Sequence, residues 1–413
     1  MDRDAHDLVI VGAGIMGLSL AYQIARRSPL RVVVVEKGDG PAMGSTGASS
    51  AIIRQRYTHP EVIRIARGGL VAFRAWPEFT RLPEPRAAFR NVGVLWMLGQ
   101  DRTAVEADRD RLAAEGADAV VLDAADLKER FPALSPCNAP FDLTGEVPHE
   151  CVPYDAWLFE EDGGYFEPVL AAQDLLEAAR REGAEVRFRT EITGVDVSAA
   201  RVTGVRLADG AAISTGTVVN AAGPWCNRLN AMAGLDLRWD LVPTRVSVLY
   251  RELPTEVPRP IPVVADSSAG IYLRPEAGGQ QILAGSVLEQ DEQEAVDPDH
   301  FNPNPDRAFL DKKIHGLHHR IPSLPHRGTV GGLAGLYTVN RDDVHPVVGP
   351  TEIDGYFVMN GFSGHGFKES LMTASMLAQH LTGERADFDT DVDLSFFAVD
   401  REPIGVADKN VLA

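Results

Sequence analysis

A glycine-rich turn between two apolar runs is the first feature of the sequence with a clear chemical use. Gly12, Gly14 and Gly17 form a GxGxxG pattern, and Glu36 follows Gly17 by 19 positions. The first glycine permits a tight turn, the second lets backbone amides approach a pyrophosphate, and the third lets helix and strand pack closely. A carboxylate at the position of Glu36 accepts hydrogen bonds from a ribose hydroxyl. The pattern therefore predicts a dinucleotide-binding site.

The residues around these glycines predict the elements that hold the turn. Leu8–Val11 is expected to be a buried strand, Leu18–Arg27 a helix and Arg31–Val35 a second strand. The run from Leu8 to Ala25 lacks the basic flank of a signal peptide, and its three glycines would weaken a spanning helix. No other stretch is apolar and long enough to cross a bilayer. We therefore expect a soluble, cytoplasmic protein.

Composition excludes several classes of partner and site. The 413 residues are 45% hydrophobic and 24% charged, which is typical of a globular chain with two or three domains. A net charge of −19 argues against nucleic-acid and anionic-membrane partners. The three cysteines form no CxxC motif and no cluster with histidine along the sequence, so no disulfide framework and no metal site are expected.

Three glycine elements lie far apart along the chain. A Gly/Ser-rich loop follows Glu36, Thr217–Trp225 reads as a strand that ends in a Gly-Pro turn, and Gly355–Lys368 reads as a strand, a glycine loop and the start of a helix. Together with the first motif, they predict one extended cofactor that is held by distant parts of the chain.

These motifs give the chain a specific resemblance. It resembles the D-amino-acid-oxidase-like family of FAD-dependent oxidoreductases, and within it the sarcosine oxidase and dimethylglycine dehydrogenase branch. The motifs occur in the family's order from the first strand to about Arg401: VIVGAGIMGLSLAYQIA, GSTGASSAIIR, GYFEP, NAAGPW, IYLRPE, GLYTVNRDDVHPVVGP and GFSGHGFK. The resemblance implies an α/β (α+β) fold, in which a Rossmann-like FAD-binding domain is interleaved with a substrate domain built on a mixed or antiparallel β-sheet.

The expected domain boundaries follow from the resemblance and from the coarse pattern. Residues 1–82, 154–235 and 328–385 are expected to form the FAD-binding domain. Residues 83–153 and 236–327 are expected to form the substrate-binding domain, and 386–413 a C-terminal tail. Within the substrate pieces, the sequence predicts strands at Gly93–Leu98, Val242–Tyr250 and Gln281–Gly285, and a helix at Thr103–Glu115.

The glycine motifs and the resemblance together imply a set of cofactor-binding residues. They are Gly12, Gly14, Ile15, Met16, Gly17, Glu36, Lys37, Ser45, Thr46, Ser49, Ser50, Ala222, Gly223, Trp225, Gly335, Gly361, Gly364, His365, Gly366, Phe367 and Lys368. Gly335 stands where monomeric sarcosine oxidase has the cysteine that links FAD covalently. The GSTGASS loop also lacks the histidine by which dimethylglycine-dehydrogenase-like enzymes attach theirs. We therefore predict non-covalent FAD.

Four residues are expected to contact the substrate. The resemblance implies that Lys368 binds a substrate carboxylate and that Arg54 is its second cationic ligand. Tyr272 and Tyr337 are expected either to line the pocket or to belong to the core. Ala51 and Gly47 replace an arginine and a histidine of monomeric sarcosine oxidase, which favours a somewhat different substrate.

Three further side chains invite a catalytic interpretation that we do not adopt. His345 and His365 lie in proline and glycine loops, and we expect them to be structural. Arg274 is expected to pair with Glu276. Leu283 stands near the place of the lysine that sarcosine oxidases use to activate oxygen, so the electron acceptor stays open.

The resemblance implies oxidation of the C–N bond of a small anionic amino acid, with N-methylated and secondary amines included. Hydride would pass to flavin N5, the imine would hydrolyse, and O2, giving H2O2, or an electron carrier would take the electrons. Two alternatives stay open. One is an FAD-dependent 2-hydroxyacid dehydrogenase, in which His345 or His365 would act as the base. The other is a flavin-binding subunit that is inert outside a hetero-oligomeric amine oxidase. The oligomeric state is not predicted.

Overall fold

The computed structural model describes residues 4–139, 148–405 and Leu412. Its α-helices, numbered along the chain, are α1 Ile15–Ala25, α2 Pro60–Arg74, α3 Trp76–Thr80, α4 Arg102–Ala114, α5 Ala124–Arg130, α6 Pro168–Arg181, α7 Cys226–Ala233, α8 Arg307–Arg320 and α9 Gly366–Thr382. Short 3-10 helices occur at Gly223–Trp225, Ala277–Gly279, Glu289–Glu292 and Leu394–Phe397.

The strands are numbered in the same way. They are β1 Leu8–Val11, β2 Val32–Val35, β3 Ile52–Ile53, β4 Arg90–Asn91, β5 Val94–Met97, β6 Val120–Leu122, β7 Trp157–Glu160, β8 Gly164–Tyr165, β9 Glu185–Arg187, β10 Ile192–Ser198, β11 Arg201–Leu207, β12 Ala212–Ser214, β13 Val218–Asn220, β14 Leu241–Glu252, β15 Val263–Asp266, β16 Ile271–Glu276, β17 Gln281–Ser286, β18 Val330–Asn340, β19 Val347–Pro350 and β20 Tyr356–Asn360.

A six-stranded sheet carries the N-terminal glycine motif. Its order is β19-β20-β13-β1-β2-β9, and every pairing is parallel except that of β19 with β20. Leu8 and Ile10 pack with the helices α1, α6 and α9, whereas Val9 and Val33 pack on the opposite face with the antiparallel sheet β10-β11-β12. Because both faces are covered, the strands are apolar throughout. The Rossmann-like prediction is confirmed.

An eight-stranded sheet forms the other large layer. Its order is β18-β14-β17-β16-β15-β5-β7-β6, and its pairings are antiparallel except for the parallel pair β15 and β5. Leu317 of α8 and Leu127 of α5 pack with buried residues of this sheet in one apolar cluster. The predicted mixed or antiparallel substrate-side sheet is therefore present.

Two strands pair with a different sheet from the one that the expected domain ranges imply. Both β7 and β18 lie within ranges expected for the FAD-binding domain, yet they hydrogen-bond into the eight-stranded sheet. The partner of β18 is β14, about 90 residues earlier in the chain, as in the pair Tyr337 and Thr244. Sequence pattern identifies a strand but not its partner, so the domain boundaries stay a prediction.

The first helix also begins earlier than predicted, at Ile15 rather than Leu18. Gly17 therefore lies inside the first turn of α1, where an added Cβ would come within 1.9 Å of the Gly12 carbonyl oxygen. Among the residues that the structure describes, no helix combines the length and the hydrophobicity that crossing a membrane requires.

Candidate active site

A cavity of about 600 Å3 lies at one edge of the six-stranded sheet. Its walls include the residues that directly follow β1, β2, β13 and β20. The carboxyl ends of parallel strands meet at the same edge of a sheet, which is where α/β folds bind their ligands. The topology thus brings together the glycine elements that the sequence predicted to share one cofactor.

The turn after β1 is shaped by close backbone contacts. The Gly12 amide donates to the Val35 carbonyl at 2.8 Å, and Gly12 has a φ of +107°, where a side chain would be strained. An added Cβ at this position would also lie 2.6 Å from the Ala221 carbonyl oxygen. The glycine is therefore required both by its backbone conformation and by the approach of β13.

Two side chains hold the backbone around this turn. The Glu36 carboxylate accepts hydrogen bonds from the amides of Ala13, at 2.8 Å, and Gly38, at 2.7 Å. The hydroxyl of Thr46 accepts from the Ile15 amide at 2.9 Å, at the N-terminus of α1. Both side chains line the cavity, so the expected ribose ligand Glu36 and the expected loop residue Thr46 lie where a dinucleotide would extend.

An ion cluster forms part of the cavity wall. Asp299 accepts from Lys37 at 2.9 Å and from the Trp225 indole at 2.7 Å, and it pairs with Arg228. Lys37 also lies 4.0 Å from the centre of the Trp225 ring. The pKa of Asp299 lies well below its ordinary value, mainly because Lys37 donates this hydrogen bond. Sequence analysis missed Asp299, because nothing local marks it as a partner of residues more than 70 positions away.

The loop before α9 closes the cavity from another side. Gly361 and Gly364 have φ values of +80° and +84°, and Gly366 and Phe367 open the helix. These four residues line the cavity. His365 and Lys368, on the same loop and helix, do not line it.

Lys368 lies in a buried group of charges directly behind this wall. Its side chain and that of Arg54 are about 5% and 4% exposed, and Glu369 is fully buried. Burial, and then repulsion by the Arg54 guanidinium, lowers the pKa of Lys368 to about 7. Burial raises the pKa of Glu369 to about 7, against the opposing influence of Lys368 and Arg54. The two cations are therefore close enough to interact electrostatically, and their shared binding of a carboxylate stays a prediction.

Arg54 itself lies against two aromatic rings. Its guanidinium lies 4.0 Å from the centre of the Tyr57 ring and 5.1 Å from that of Trp96, and it donates to the Arg56 carbonyl. Neither Arg54 nor Lys368 lines the large cavity, so their contact with a substrate stays a prediction. Arg56 is instead paired with Asp108 at 2.7 Å.

The two predicted tyrosines lie together. Tyr337 lines both the large cavity and a neighbouring one of about 20 Å3, and Tyr272 lines the smaller. Burial raises the pKa of Tyr272 to about 12, and its hydroxyl interacts with those of Ser50 and Tyr337. Glu292, which also lines the smaller cavity, acts electrostatically on both tyrosines. Tyr337 therefore lines the large cavity, whereas Tyr272 lines only the small one, and their contact with a substrate stays a prediction.

The remaining predicted residues have structural surroundings. Arg274 pairs with Glu276 at 2.6 Å, as expected, and donates to the Ser50 carbonyl at 2.6 Å. His345 is buried against His59 and Phe397, and burial lowers its pKa to about 4. Neither His345 nor His365 lines the cavity.

The predicted cofactor residues divide into two groups. Those that line the large cavity are Gly12, Gly14, Ile15, Met16, Glu36, Lys37, Ser45, Thr46, Ser49, Ala222, Gly223, Trp225, Gly361, Gly364, Gly366 and Phe367. Those that do not are Gly17, Ser50, Gly335, His365 and Lys368. Lining residues that the sequence analysis missed include Met43, Thr190, Arg228, Met232, Asp299, Phe301 and Asn360.

The cavity fits a dinucleotide on its own geometry. The glycine turn that a Cβ would fill lies at the N-terminus of α1, where a pyrophosphate is favoured, and the Glu36 carboxylate at the end of β2 is an acceptor for a ribose hydroxyl. Gly335 offers no side-chain atom for a covalent link, and an added Cβ would lie 2.5 Å from the Ala48 methyl.

Comparisons of sequence and of structure with known proteins both match this chain to flavoenzymes. A family model described as DAO, FAD dependent oxidoreductase, matches residues 7–380. FAD-dependent oxidoreductase domain-containing protein 1 of Xenopus laevis is 26% identical over 90% of this chain and 78% of its own. Monomeric sarcosine oxidase of Bacillus sp. strain B-0618 is 27% identical over 96% of each. The structure of L-proline dehydrogenase from P. horikoshii aligns with a TM-score of 0.81 at 23% identity, over 96% of this chain and 97% of that one.

Proposed function

Because this chain belongs to the DAO family of FAD-dependent oxidoreductases, we propose that it oxidises the C–N bond of a small, anionic amino acid. The curated relatives include monomeric sarcosine oxidase and dimethylglycine dehydrogenase, whose names refer to N-methylated amino acids. Their identities of 24–27% favour the reaction class and leave the side chain of the substrate open.

FAD is held without a covalent bond in this proposal. The Gly12–Gly17 turn and the N-terminus of α1 receive the pyrophosphate, and Glu36 accepts from the ribose. The absence of a side chain at Gly335 and the Ala48 methyl against it support dissociable FAD. Bound FAD supplies the acceptor for the hydride that leaves the substrate carbon.

The paired cations Arg54 and Lys368 are the single observation that carries the substrate proposal. Although the net charge of the chain is −19, these two cations interact with each other and are both buried. Phe367, the residue before Lys368, lines the cavity. Glu369 already interacts with both cations, but its raised pKa of about 7 leaves it partly protonated near neutral pH, so a bound carboxylate would supply further counter-charge to both cations. Because neither side chain lines the large cavity, this role requires a conformational change that brings both to it.

The protonation state of Lys368 sets the strength of that carboxylate site. Its ammonium attracts the substrate, and a neutral amine does not. With a pKa of about 7 in the absence of substrate, the group loses its charge as the pH rises through that value. Tyr272 and Tyr337 supply hydroxyl groups next to the same cavity, where they would orient a bound amino acid.

Anaerobic bleaching of the bound flavin tests the proposal. The purified protein is mixed with N-methyl, cyclic, D- and L-amino acids and with 2-hydroxy acids, and the flavin absorbance is followed. Bleaching by an amine class supports C–N oxidation by this chain alone. Bleaching by hydroxy acids only would contradict it, and bleaching by none of the compounds would count against it, in favour of an unusual substrate or a required partner subunit.

A further inference from the structure

A cluster of cysteine and histidine side chains lies outside the FAD cavity. Cys137, His149 and His319 each present one ligand atom, and the three atoms lie within 4.8 Å of one another. The Cys137 sulfur and the His149 Nε2 are 3.3 Å apart. None of the three residues lines the large cavity, so the proposed oxidation does not use them.

Backbone contacts bring two separate stretches together at this cluster. Cys137 and Pro153 form an isolated antiparallel bridge, and the Asn138 amide donates to the Val152 carbonyl at 2.7 Å. This pairing sets Cys151 beside Cys137, and the two thiols interact through a hydrogen bond. Cys151, from the same stretch as His149, therefore lies next to the cluster, but its sulfur is not among the three ligand atoms that lie within 4.8 Å of one another.

The third ligand arrives on the end of α8. His319 lies in the last turn of this helix, and its ring centre is 5.2 Å from that of His149 at an angle of 88°. The next residue, Arg320, is fully buried, donates to the Cys137 carbonyl at 2.9 Å and pairs with Asp266 at 2.6 Å. The helix end is thus fixed against the Cys137 segment, and its carbonyl dipoles favour a cation there.

The donor set indicates which metal suits the position. Zinc binds cysteine sulfur at about 2.3 Å and histidine nitrogen at about 2.0–2.1 Å, with tetrahedral geometry. Two ligands at those lengths lie roughly 3.5 Å apart, close to the 3.3 Å between Cys137 and His149. Thiolate and imidazole are poor ligands for magnesium or calcium.

We propose that Cys137, His149 and His319 bind one Zn2+ ion and that the neighbouring Cys151 thiol moves in to complete a tetrahedral set of ligands. The ion would join the segment around Cys137 to the end of α8, at a distance from the chemistry of the flavin. Four protein ligands leave no position for water, so the site would be structural. This proposal departs from the sequence-based expectation of no metal site, because His319 lies 168 residues after Cys151 in the sequence.

Metal analysis of the full chain with FAD bound tests this. The reduced protein is incubated with Zn2+ and desalted, and zinc is measured by mass spectrometry. We expect about one Zn2+ per chain, falling to about none in Cys137→Ser and in His149→Ala. Cys226→Ser and His326→Ala are the matched controls, since neither residue belongs to the cluster, and they should keep the metal.

Two results would overturn the proposal. One is a reduced wild-type protein that retains no zinc, and the other is a zinc content that survives both ligand substitutions. If the variants lose FAD and unfold, Co2+ added to the wild-type protein decides instead. A thiolate-to-cobalt charge-transfer band supports the site, and its absence, or a Cys137–Cys151 disulfide that persists under reducing conditions, refutes it.

Discussion

Replacement of Lys368 by methionine is the sharpest test of the substrate site. Methionine fills a similar volume without the charge, so Arg54 and Glu369 keep their packing while the substrate carboxylate loses one cationic partner. Removing one member of a buried, hydrogen-bonded charge pair costs about 2–5 kcal/mol. With about 1.4 kcal/mol per factor of ten, the substrate would bind roughly 30-fold to 4,000-fold more weakly.

The assay is an anaerobic titration of the flavin absorbance with the amino acid that bleaches the wild-type protein. Lys128→Met is the matched control, because Lys128 is exposed on α5, in the substrate-side part of the molecule. Lys368→Arg keeps the charge and should recover part of the lost affinity. FAD content, measured on each variant, separates weaker substrate binding from loss of the cofactor.

A Lys368→Met variant that holds FAD and binds the substrate as tightly as the wild type would refute the assigned role. Equal weakening of substrate binding in Lys128→Met and Lys368→Met would also contradict this role of Lys368. In that case the effect would come from the overall charge of the protein, and the buried pair with Arg54 would have no special part in binding.

Three other predictions concern the same region. Substrate affinity should fall as the pH rises through about 7, because Lys368 then loses its positive charge and neighbouring Glu369 gains a negative one, and the step should be smaller in an affinity profile of Lys368→Met. Gly12→Ala should weaken FAD binding by roughly 5-fold to 150-fold in a fluorescence titration, from about 1–3 kcal/mol of backbone strain and the clash with Ala221. Gly40→Ala, whose added Cβ meets nothing within 4 Å, should bind FAD normally. Acid precipitation should release all the FAD into the supernatant, and flavin that stays with the pellet would contradict the interpretation of Gly335.

The dinucleotide-binding half of the site could be predicted because its signals are local. Gly12, Gly14 and Gly17 and the carboxylate of Glu36 belong to one strand-turn-helix-strand unit, whose spacing alone determines where they lie. The start of α9 after Gly361 and Gly364 was predicted for the same reason. Even here the first residue of α1 was misplaced, since the glycine turn leaves the helix free to begin at Ile15.

The sequence by itself thus determined the βαβ unit, the glycine loops and the residue types that a flavin site needs. Only the tertiary structure brought Asp299 to Lys37 and Trp225, set β18 beside β14, and placed Arg54 against Lys368 behind the cavity wall. It also assembled Cys137, His149 and His319 from distant stretches. The physical reason is the same in each case: such contacts depend on strand pairing and helix packing between remote segments, which no local pattern of residues encodes.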